Sequence, residues 1–231
     1  MQLTMEDGLV SAFRWAPPFA QGLVRDMRVR WALREAGLPY EIDFVEFGEH
    51  KSPEFRARQP FGQIPTFRAD GMELFESGAI VYAIGLKSEV LLPVDERQRL
   101  RTISWMFAAL NTVEPPITLL TAADLVQQDA DWDRLFRPKT VASIDERLSR
   151  LNEWLGERAY LVDRFTGADI LMATVLRLIR HTDIVAGHPK VAAYLKRCEA
   201  RPAFREALDE QMQGFAESTP VVPDQAEAVS A

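Results

Sequence analysis

The chain has 231 residues, 47% of them hydrophobic and 26% charged, which is the composition of an ordinary globular protein long enough for two modest domains. Its formal net charge of −7 argues against a nucleic-acid partner, because phosphate binding needs a basic face. No run approaches the roughly 20 apolar residues of a membrane span, and residues 1–8 lack the basic region of a signal peptide. Cys198 is the only cysteine, so an internal disulfide is excluded and we expect a cytoplasmic protein.

The first part of the chain alternates strand-like and helix-like segments. Strands are predicted at residues 9–13, 40–47, 64–68 and 72–75, and helices at residues 21–36 and from Ser52 and Ser77 onward. In the first helix Leu23, Met27 and Trp31 share an apolar stripe, and arginines are predicted to fill the opposite face. A strand, a helix and a second strand in this order favour parallel pairing, and Asp70-Gly71 predicts a hairpin. We therefore predict a first domain, residues 1–88, with the order β-α-β-α-β-β-α.

The rest of the chain has helical periodicity. Helices are predicted at residues 96–110, 140–155, 167–179, 191–199 and 203–212, after a linker at residues 87–95. Pro115-Pro116 is expected to kink or break the first of them. Residues 167–179 are apolar almost all round, which predicts a buried central helix, and Thr166 and Asp169 form a capping box at its start. Residues 96–216 are thus predicted as an all-helical domain, and residues 217–231, without periodicity, as a disordered tail.

Several motifs occur in a fixed order along the chain. They are RVRWALREAGLPY at residues 28–40, GEHKSPEF at 48–55, QPFGQIPT at 59–66, ESGAI at 76–80 and FTGADILMA at 165–173. Together they resemble the glutathione transferase family, in particular bacterial-type members of the theta, phi or nu kind, over about residues 9–210. The resemblance implies an α/β thioredoxin-like N-terminal domain, an all-α C-terminal helical bundle, glutathione as a substrate, no metal and a homodimer.

Pro65 and the pair Glu76-Ser77 carry the implied glutathione site. An X-Pro bond before a strand is one of the few places where a cis peptide costs only about 0.5 to 1 kcal/mol. A cis Ile64-Pro65 bond would turn the Ile64 backbone outward to pair with an extended ligand, which the resemblance identifies as the cysteinyl part of glutathione. Ser77, at a helix N-terminus, would hold the γ-glutamyl carboxylate, and Glu76 its ammonium group. Taken alone, Pro65 could be a turn proline and Ser77 a plain N-cap.

Further candidates lie in the polar loops on either side of the short helix that begins at Ser52. By the same resemblance Lys51 would pair with the glycine carboxylate of glutathione, with His50 beside it and Gln63 near the ligand's peptide. A lone lysine in a polar loop is otherwise usually solvated.

The group that should stabilise the glutathione thiolate is missing from the expected place. A thiol titrates near pH 8.5, and family members lower this value with a Tyr, Ser or Cys after the first strand. Residues 13–22 contain none of these, so Arg14 and the Trp15 indole N–H become the catalytic candidates. Gln21, the N-terminus of the first helix near Gly22 and Ser11 within the first strand are the other groups that remain. Arg14 could instead pair with a surface acid, and Trp15 could serve in packing.

Two classes of function follow. In the first, the chain is a glutathione transferase that joins the thiolate to a small electrophile, or a related reductase of a disulfide, with an apolar wall formed by Trp105, Met106, Leu110 and Val113. In the second, it is a non-catalytic glutathione-binding or structural protein of the same fold. The missing hydroxyl favours the second class, whereas the complete set of binding residues favours the first.

Overall fold

The computed structural model describes residue 5 and residues 7–127 and 129–218. The chain forms two compact units, of which the first contains the residues up to Ser88 together with those from Pro202 onward, and the second is Glu89–Arg201. The predicted tail falls at residues 217–231, and its residues 219–231 lie outside the described part.

The first unit is built on a mixed sheet of four strands in the order β2-β1-β3-β4. Its elements are β1 (Gly8–Phe13), α1 (Asp26–Ala36), β2 (Tyr40–Val45), α2 (Pro53–Arg58), β3 (Thr66–Ala69), β4 (Met72–Phe75) and α3 (Ser77–Gly85). β1 pairs in parallel with β2 and antiparallel with β3, which in turn pairs antiparallel with β4. The predicted β-α-β-α-β-β-α order and the thioredoxin-like class are confirmed.

The first helix begins later than the sequence predicts. Residues 18–25 form turns, in which the Pro17 carbonyl accepts from the backbone N–H groups of Ala20 and Gln21, and Gly22 has a φ of +76°. A residue with positive φ cannot continue a right-handed helix, so α1 begins only at Asp26. The apolar spacing that begins at Leu23 runs through this turn, and periodicity alone could not locate the start.

Arg28 and Arg30 correct the expectation that arginines line a solvent face of α1, because each is only 3% exposed. Arg30 Nε lies 2.7 Å from a carboxylate oxygen of Asp26, which is also buried. Burial raises the pKa of Asp26, whereas Arg30 and a hydrogen bond from Gln211 lower it. The cation therefore compensates a carboxylate that the fold has removed from water.

The last helix, α10 (Pro202–Ala216), packs on α1 in the first unit, although the sequence assigned it to the helical domain. The Phe204 ring meets the buried Trp31 ring edge-on at 4.9 Å, and Gln211 Nε2 donates to Asp26 at 2.8 Å. Arg34 of α1 also pairs with Glu210, at 3.1 Å. These partners are more than 170 residues apart in sequence, so local patterns could not reveal them.

The second unit contains helices and no strand among its described residues. Its helices are α4 (Glu96–Phe107), α5 (Glu114–Ala122), α6 (Ala130–Leu135), α7 (Arg137–Leu155), α8 (Gly167–Arg177) and α9 (Pro189–Glu199). Every residue of α8 is buried, which confirms the predicted central helix. The predicted capping box at its start is also present. The short helix α6 was not predicted, because its six residues lack an apolar stripe.

Pro115-Pro116 neither ends the helical path nor leaves it regular. A π-helical segment, Ala108–Val113, joins α4 to α5, and a second one, Ala123–Gln127, follows α5. Pro116 has no N–H to donate to the carbonyl of Thr112, four residues earlier. Arg147 of α7 supplies that donor instead, with Nε 2.8 Å from the Thr112 oxygen.

Across the described residues, no helix is both long and apolar enough to cross a bilayer.

Candidate glutathione site

The strand directions bring all the predicted site residues of the first unit to one edge of the sheet. β1, β2 and β4 run in the same direction and end there, and β3, which runs the opposite way, begins there. In the order of the strands, this edge carries His50-Lys51 after β2, Arg14-Trp15 after β1, Ile64-Pro65 before β3 and Glu76-Ser77 after β4. The edge spans about three strand spacings, or roughly 14 Å.

The peptide bond between Ile64 and Pro65 is cis, as predicted from the sequence. Among the described residues, no group hydrogen-bonds to the N–H or C=O of Ile64, so this pair is available to an added strand. The next residue, Thr66, donates its N–H to Ser11 Oγ at 2.6 Å. Ser11 accepts in this contact, and because its side chain is fully buried it is not among the exposed donors of this edge.

Glu76 and Ser77 mark the junction of β4 and α3. Glu76 has a φ of +66°, a region that non-glycine residues rarely adopt and that often accompanies functional sites. Ser77 is the first residue of α3 rather than its N-cap, so its N–H belongs to the first turn, where helices leave these groups unpaired. Ser77 is therefore not a plain N-cap, and its backbone N–H is in a position to donate to a ligand.

Arg28 is a candidate site residue that the sequence reasoning missed. Its Nη1 donates to Ser77 Oγ at 3.1 Å, which places a buried guanidinium beneath the N-terminus of α3. The signal was present in the chain, because the residues three and four positions later, Trp31 and Ala32, are apolar and buried. An arginine within an apolar stripe needs a buried partner.

His50 is buried to 6% exposure in a three-residue turn, Glu49–Lys51. Its ring contacts Phe13 edge-on at 5.0 Å and Phe47 at 5.8 Å. Burial lowers the pKa of His50, and the charges of Lys51 and Arg56 lower it further, which favours the neutral ring. Within the described residues its Nδ1 is buried with no hydrogen-bond partner, an arrangement that costs free energy unless a ligand or water completes it.

The loop before Pro65 packs against this turn. A Cβ atom on Gly62, whose φ is +60°, would lie 2.6 Å from the His50 carbonyl oxygen, so only glycine fits there. Gln63 follows with an exposed side chain, and its N–H is held by the buried Gln59 at 3.1 Å. Lys51 is half-buried and pairs with no acid in the described part of the chain.

Arg14 pairs with a surface acid, which is the alternative that the sequence analysis left open. Its Nε lies 2.5 Å from Glu46 in a pair about half exposed on both sides, and its guanidinium lies over the Phe44 ring at 4.8 Å. The Trp15 indole is half-buried, and its N–H bonds to no described residue. Of the two catalytic candidates, Trp15 is thus the one with a donor still available.

Other polar side chains of the first unit are committed elsewhere. Gln21 Nε2 donates to the Ala16 carbonyl at 3.0 Å, and the Tyr40 hydroxyl bonds to Glu210. Because α1 begins at Asp26, the expected helix N-terminus at Gly22 is a turn. Cys198, in the second unit, is fully buried, and burial raises its pKa well above the usual range.

Of the residues expected to form an apolar wall in the helical unit, Met106 and Val113 are each 6% exposed and belong to the core. Trp105 and Leu110 are half-buried. The Trp105 ring contacts that of Trp154 at an inclined angle of 48°, with ring centroids 5.3 Å apart.

Two family models match the chain. The model for the N-terminal domain of glutathione S-transferase matches residues 21–84, and the model for the C-terminal domain matches residues 137–202. The chain belongs to the glutathione transferase family. Both models fall on the segments whose motifs suggested the family, and three of the four segments of the sheet edge, at residues 50–51, 64–65 and 76–77, lie inside the first match.

Known glutathione transferases resemble the chain over most of its length. Glutathione S-transferase 3 of Zea mays is 32% identical, over 79% of this chain and 87% of that protein. Glutathione S-transferase F4 of Arabidopsis thaliana is 25% identical, over 81% of this chain and 82% of that protein. A glutathione transferase from Burkholderia graminis, with two glutathione molecules bound per subunit in its crystal structure, superimposes with a TM-score of 0.77, 27% identity and 88% coverage of both chains.

Proposed function

We propose that this glutathione transferase binds glutathione along the described sheet edge and conjugates its sulfur to a small electrophile. The observation that carries the proposal is the gathering of four loop segments at one edge, in an order that suits an extended tripeptide. An extended tripeptide spans about 10 Å of backbone, and the edge spans about 14 Å. The similar Burkholderia graminis protein, which binds glutathione, adds support.

The charges along the edge match the two ends of glutathione. The γ-glutamyl carboxylate would meet the first turn of α3 at Ser77, with the Arg28 guanidinium below it. Its ammonium group would meet Glu76, which is exposed. The glycine carboxylate would meet Lys51 and the region of His50 and Gln63 at the other end. The cysteinyl peptide between them would pair with the N–H and C=O of Ile64.

The first test is the substitution Ser77→Ala. It removes the hydroxyl that links Arg28 to the carboxylate, so the dissociation constant of glutathione should rise by about 5- to 150-fold, a loss of about 1 to 3 kcal/mol of binding free energy. Isothermal titration calorimetry measures it directly. Ser88→Ala, in the loop after α3, is the matched control and should leave affinity unchanged. Equal affinities of wild type and Ser77→Ala would contradict the assignment.

For the thiolate, we propose Trp15 as hydrogen-bond donor and Arg14 as a weaker source of positive charge. Deprotonation releases the thiol proton to solvent, and the sulfur then forms a bond to the electrophilic carbon as the leaving group departs. The exposed pair with Glu46 offsets much of the Arg14 charge, whereas the Trp15 N–H is free to point at a sulfur.

The second test titrates the bound thiol by its ultraviolet thiolate absorbance. In the wild type its pKa should lie below the free value of about 8.5. Trp15→Phe keeps the aromatic packing but removes the N–H, so the pKa should return most of the way toward the free value. Arg14→Ala should raise the thiol pKa by less than Trp15→Phe does, and Arg14→Lys should raise it by less still. A bound thiol whose pKa is unshifted in the wild type would contradict the proposed thiolate activation, and it would leave the binding proposal standing.

The missing hydroxyl also supports a second function, in which the bound thiolate reduces a small disulfide or the chain only binds glutathione. Turnover of an aryl halide supports conjugation. Turnover of a low-molecular-weight disulfide with a second glutathione as reductant supports the reductase. Binding with neither supports the non-catalytic form.

A homodimer and a cytoplasmic location complete the proposal. The dimer rests on the family resemblance, and sedimentation equilibrium tests it. The location rests on the lone, buried Cys198, which fits a reducing compartment.

A further inference from the structure

A row of four polar residues crosses one face of the sheet, with one residue from each strand. The pairing register places Ser11 of β1 opposite Asp43 of β2, and Thr66 of β3 lies beside Ser11. Thr66 is also on the same face as Glu73 of β4. Ser11 and Thr66, in the middle of this polar row, are fully buried. Buried hydroxyls need hydrogen-bond partners, and one partner comes from outside the sheet.

That partner is Arg58, the last residue of α2. Its Nε lies 2.6 Å from Glu73, and its Nη2 donates to Asp43 at 2.9 Å and to Thr66 Oγ1 at 3.2 Å. The Thr66 hydroxyl in turn donates to Ser11 Oγ at 3.1 Å. Burial alone would lower the pKa of Arg58, but the bonds to Glu73 and Asp43 raise it overall, so the cation is retained. Because a guanidinium has five N–H donors in one plane, this one side chain bridges acids on the two outer strands and the hydroxyls between them.

The polar row reaches the segment that carries Ile64, whose backbone is proposed to pair with glutathione. Thr66, two residues later, is fixed through its N–H by Ser11 and through its hydroxyl by Arg58. The Ile64 side chain packs in an apolar cluster with Phe55 of α2. Through these contacts the position of α2 on the sheet constrains the Ile64 N–H and C=O.

We propose that Arg58 is a positioning residue of the glutathione site. Its guanidinium is occupied by protein groups, and it acts by fixing α2 to the polar row and by holding Thr66, and hence the Ile64 backbone, where an extended peptide can pair with it. A shift of about 1 Å in a substrate-positioning group can cost about 100-fold in rate, so an anchor of this kind affects binding without touching the ligand. This role rests on the proposed function and adds a residue to it.

The first test is calorimetry of the full chain with glutathione. Arg58→Met removes all three bonds of the guanidinium but keeps the length of the side chain, so the dissociation constant should rise by about 3- to 30-fold. Arg34→Met is the matched control, because Arg34 also pairs with two acids of the first unit and its side chain is about as exposed, 30% against 27%. Those acids lie on α10, so the control should bind glutathione as the wild type does. Equal affinities of Arg58→Met and the wild type overturn the proposal, and so does an equal loss in Arg34→Met.

Thr66→Val separates positioning from a general loss of stability. It keeps the branched shape but removes the hydroxyl through which Arg58 acts, so alone it should also raise the dissociation constant by about 3- to 30-fold. Because both changes break the same link, Arg58→Met/Thr66→Val should bind glutathione within about twofold of Arg58→Met. Losses that add in the double variant overturn the link. The pKa of the bound thiol should be the same in Arg58→Met as in the wild type, and a raised value would show that Arg58 acts by its charge instead of by position.

Hydrogen exchange of the unliganded chain distinguishes failure of this role from failure of the proposed function. Arg58→Met should speed exchange at the amides of Gln63 and Thr66, whose N–H groups are bonded at 3.1 and 2.6 Å, and Arg34→Met should not. A wild type that binds no glutathione contradicts the proposed function whatever the variants do. A wild type that binds it, with exchange and affinity both unchanged in Arg58→Met, overturns the positioning role alone.

Discussion

Replacing Asp169 with alanine should lower the free energy of unfolding by about 4 to 5 kcal/mol. The carboxylate accepts from the N–H groups of Leu161 and Thr166, at 3.0 and 2.8 Å, and from the hydroxyls of Thr166 and Tyr194, at 3.1 and 3.0 Å. It is fully buried, and burial raises its pKa to about 6 against the effect of these hydrogen bonds. Alanine would strand all these donors away from water and leave a cavity beside α8.

Chemical denaturation followed by circular dichroism measures this loss. Asp95→Ala is the matched control, because Asp95 caps α4 through the Gln98 N–H, at 2.9 Å, but is exposed. An exposed cap contributes about 1 kcal/mol. Asp169→Asn keeps one acceptor oxygen and should fall between the two alanine variants. A loss at Asp169 no larger than that at Asp95 would show that water reaches the stranded donors.

Replacing Arg30 with methionine should cost about 3 to 5 kcal/mol of unfolding free energy in the first unit. Arg30 and Asp26 are both buried, and methionine has a similar volume but cannot compensate the carboxylate. Without the cation, the pKa of Asp26, already raised by burial, rises further. A raised carboxyl pKa gives stability that is present at low pH and lost as pH rises through the folded-state value. The deficit should therefore be smaller at pH 5 than at pH 8.

The double variant Asp26→Asn/Arg30→Met distinguishes loss of the pair from loss of packing. It removes both charges, so it should recover a large part of the stability that Arg30→Met loses and should show little of its pH dependence. Arg150→Met, which breaks an exposed pair with Glu153, is the control and should change stability by less than about 1 kcal/mol. A double variant as unstable as Arg30→Met would identify packing as the cause.

The sequence predicted the features that depend on local chemistry. The hairpin at Asp70-Gly71, the start of the short helix at Ser52, the cis bond before Pro65 and the capping box at Thr166 each need only a few neighbouring residues. The candidate glutathione-site loops were predicted in the same way, because each follows a strand end or helix start that its own residues specify. The strand order then brings them to one edge.

The missed features depend on partners distant in sequence. Arg28 gains its role from Ser77, 49 residues away, and Arg30 and Asp26 are enclosed by α10. The start of α1 depends on the backbone of Gly22, which a side-chain pattern does not report. The path through Pro115-Pro116 depends on Arg147, which replaces a donor that the prolines lack. In each case tertiary context decides among states that the local sequence permits.

The packing of α10 on α1 has a consequence for biosynthesis. Residues 5–88 emerge from the ribosome long before Pro202–Ala216 does. The first unit therefore begins to emerge first and is completed last. Until then Trp31 lacks the Phe204 ring and Asp26 lacks its bond from Gln211. The helical unit, Glu89–Arg201, is continuous and can mature in the interval. Synthesis that stops after residue 201 would thus yield a finished helical unit attached to an open sheet domain, a substrate for chaperones and proteases.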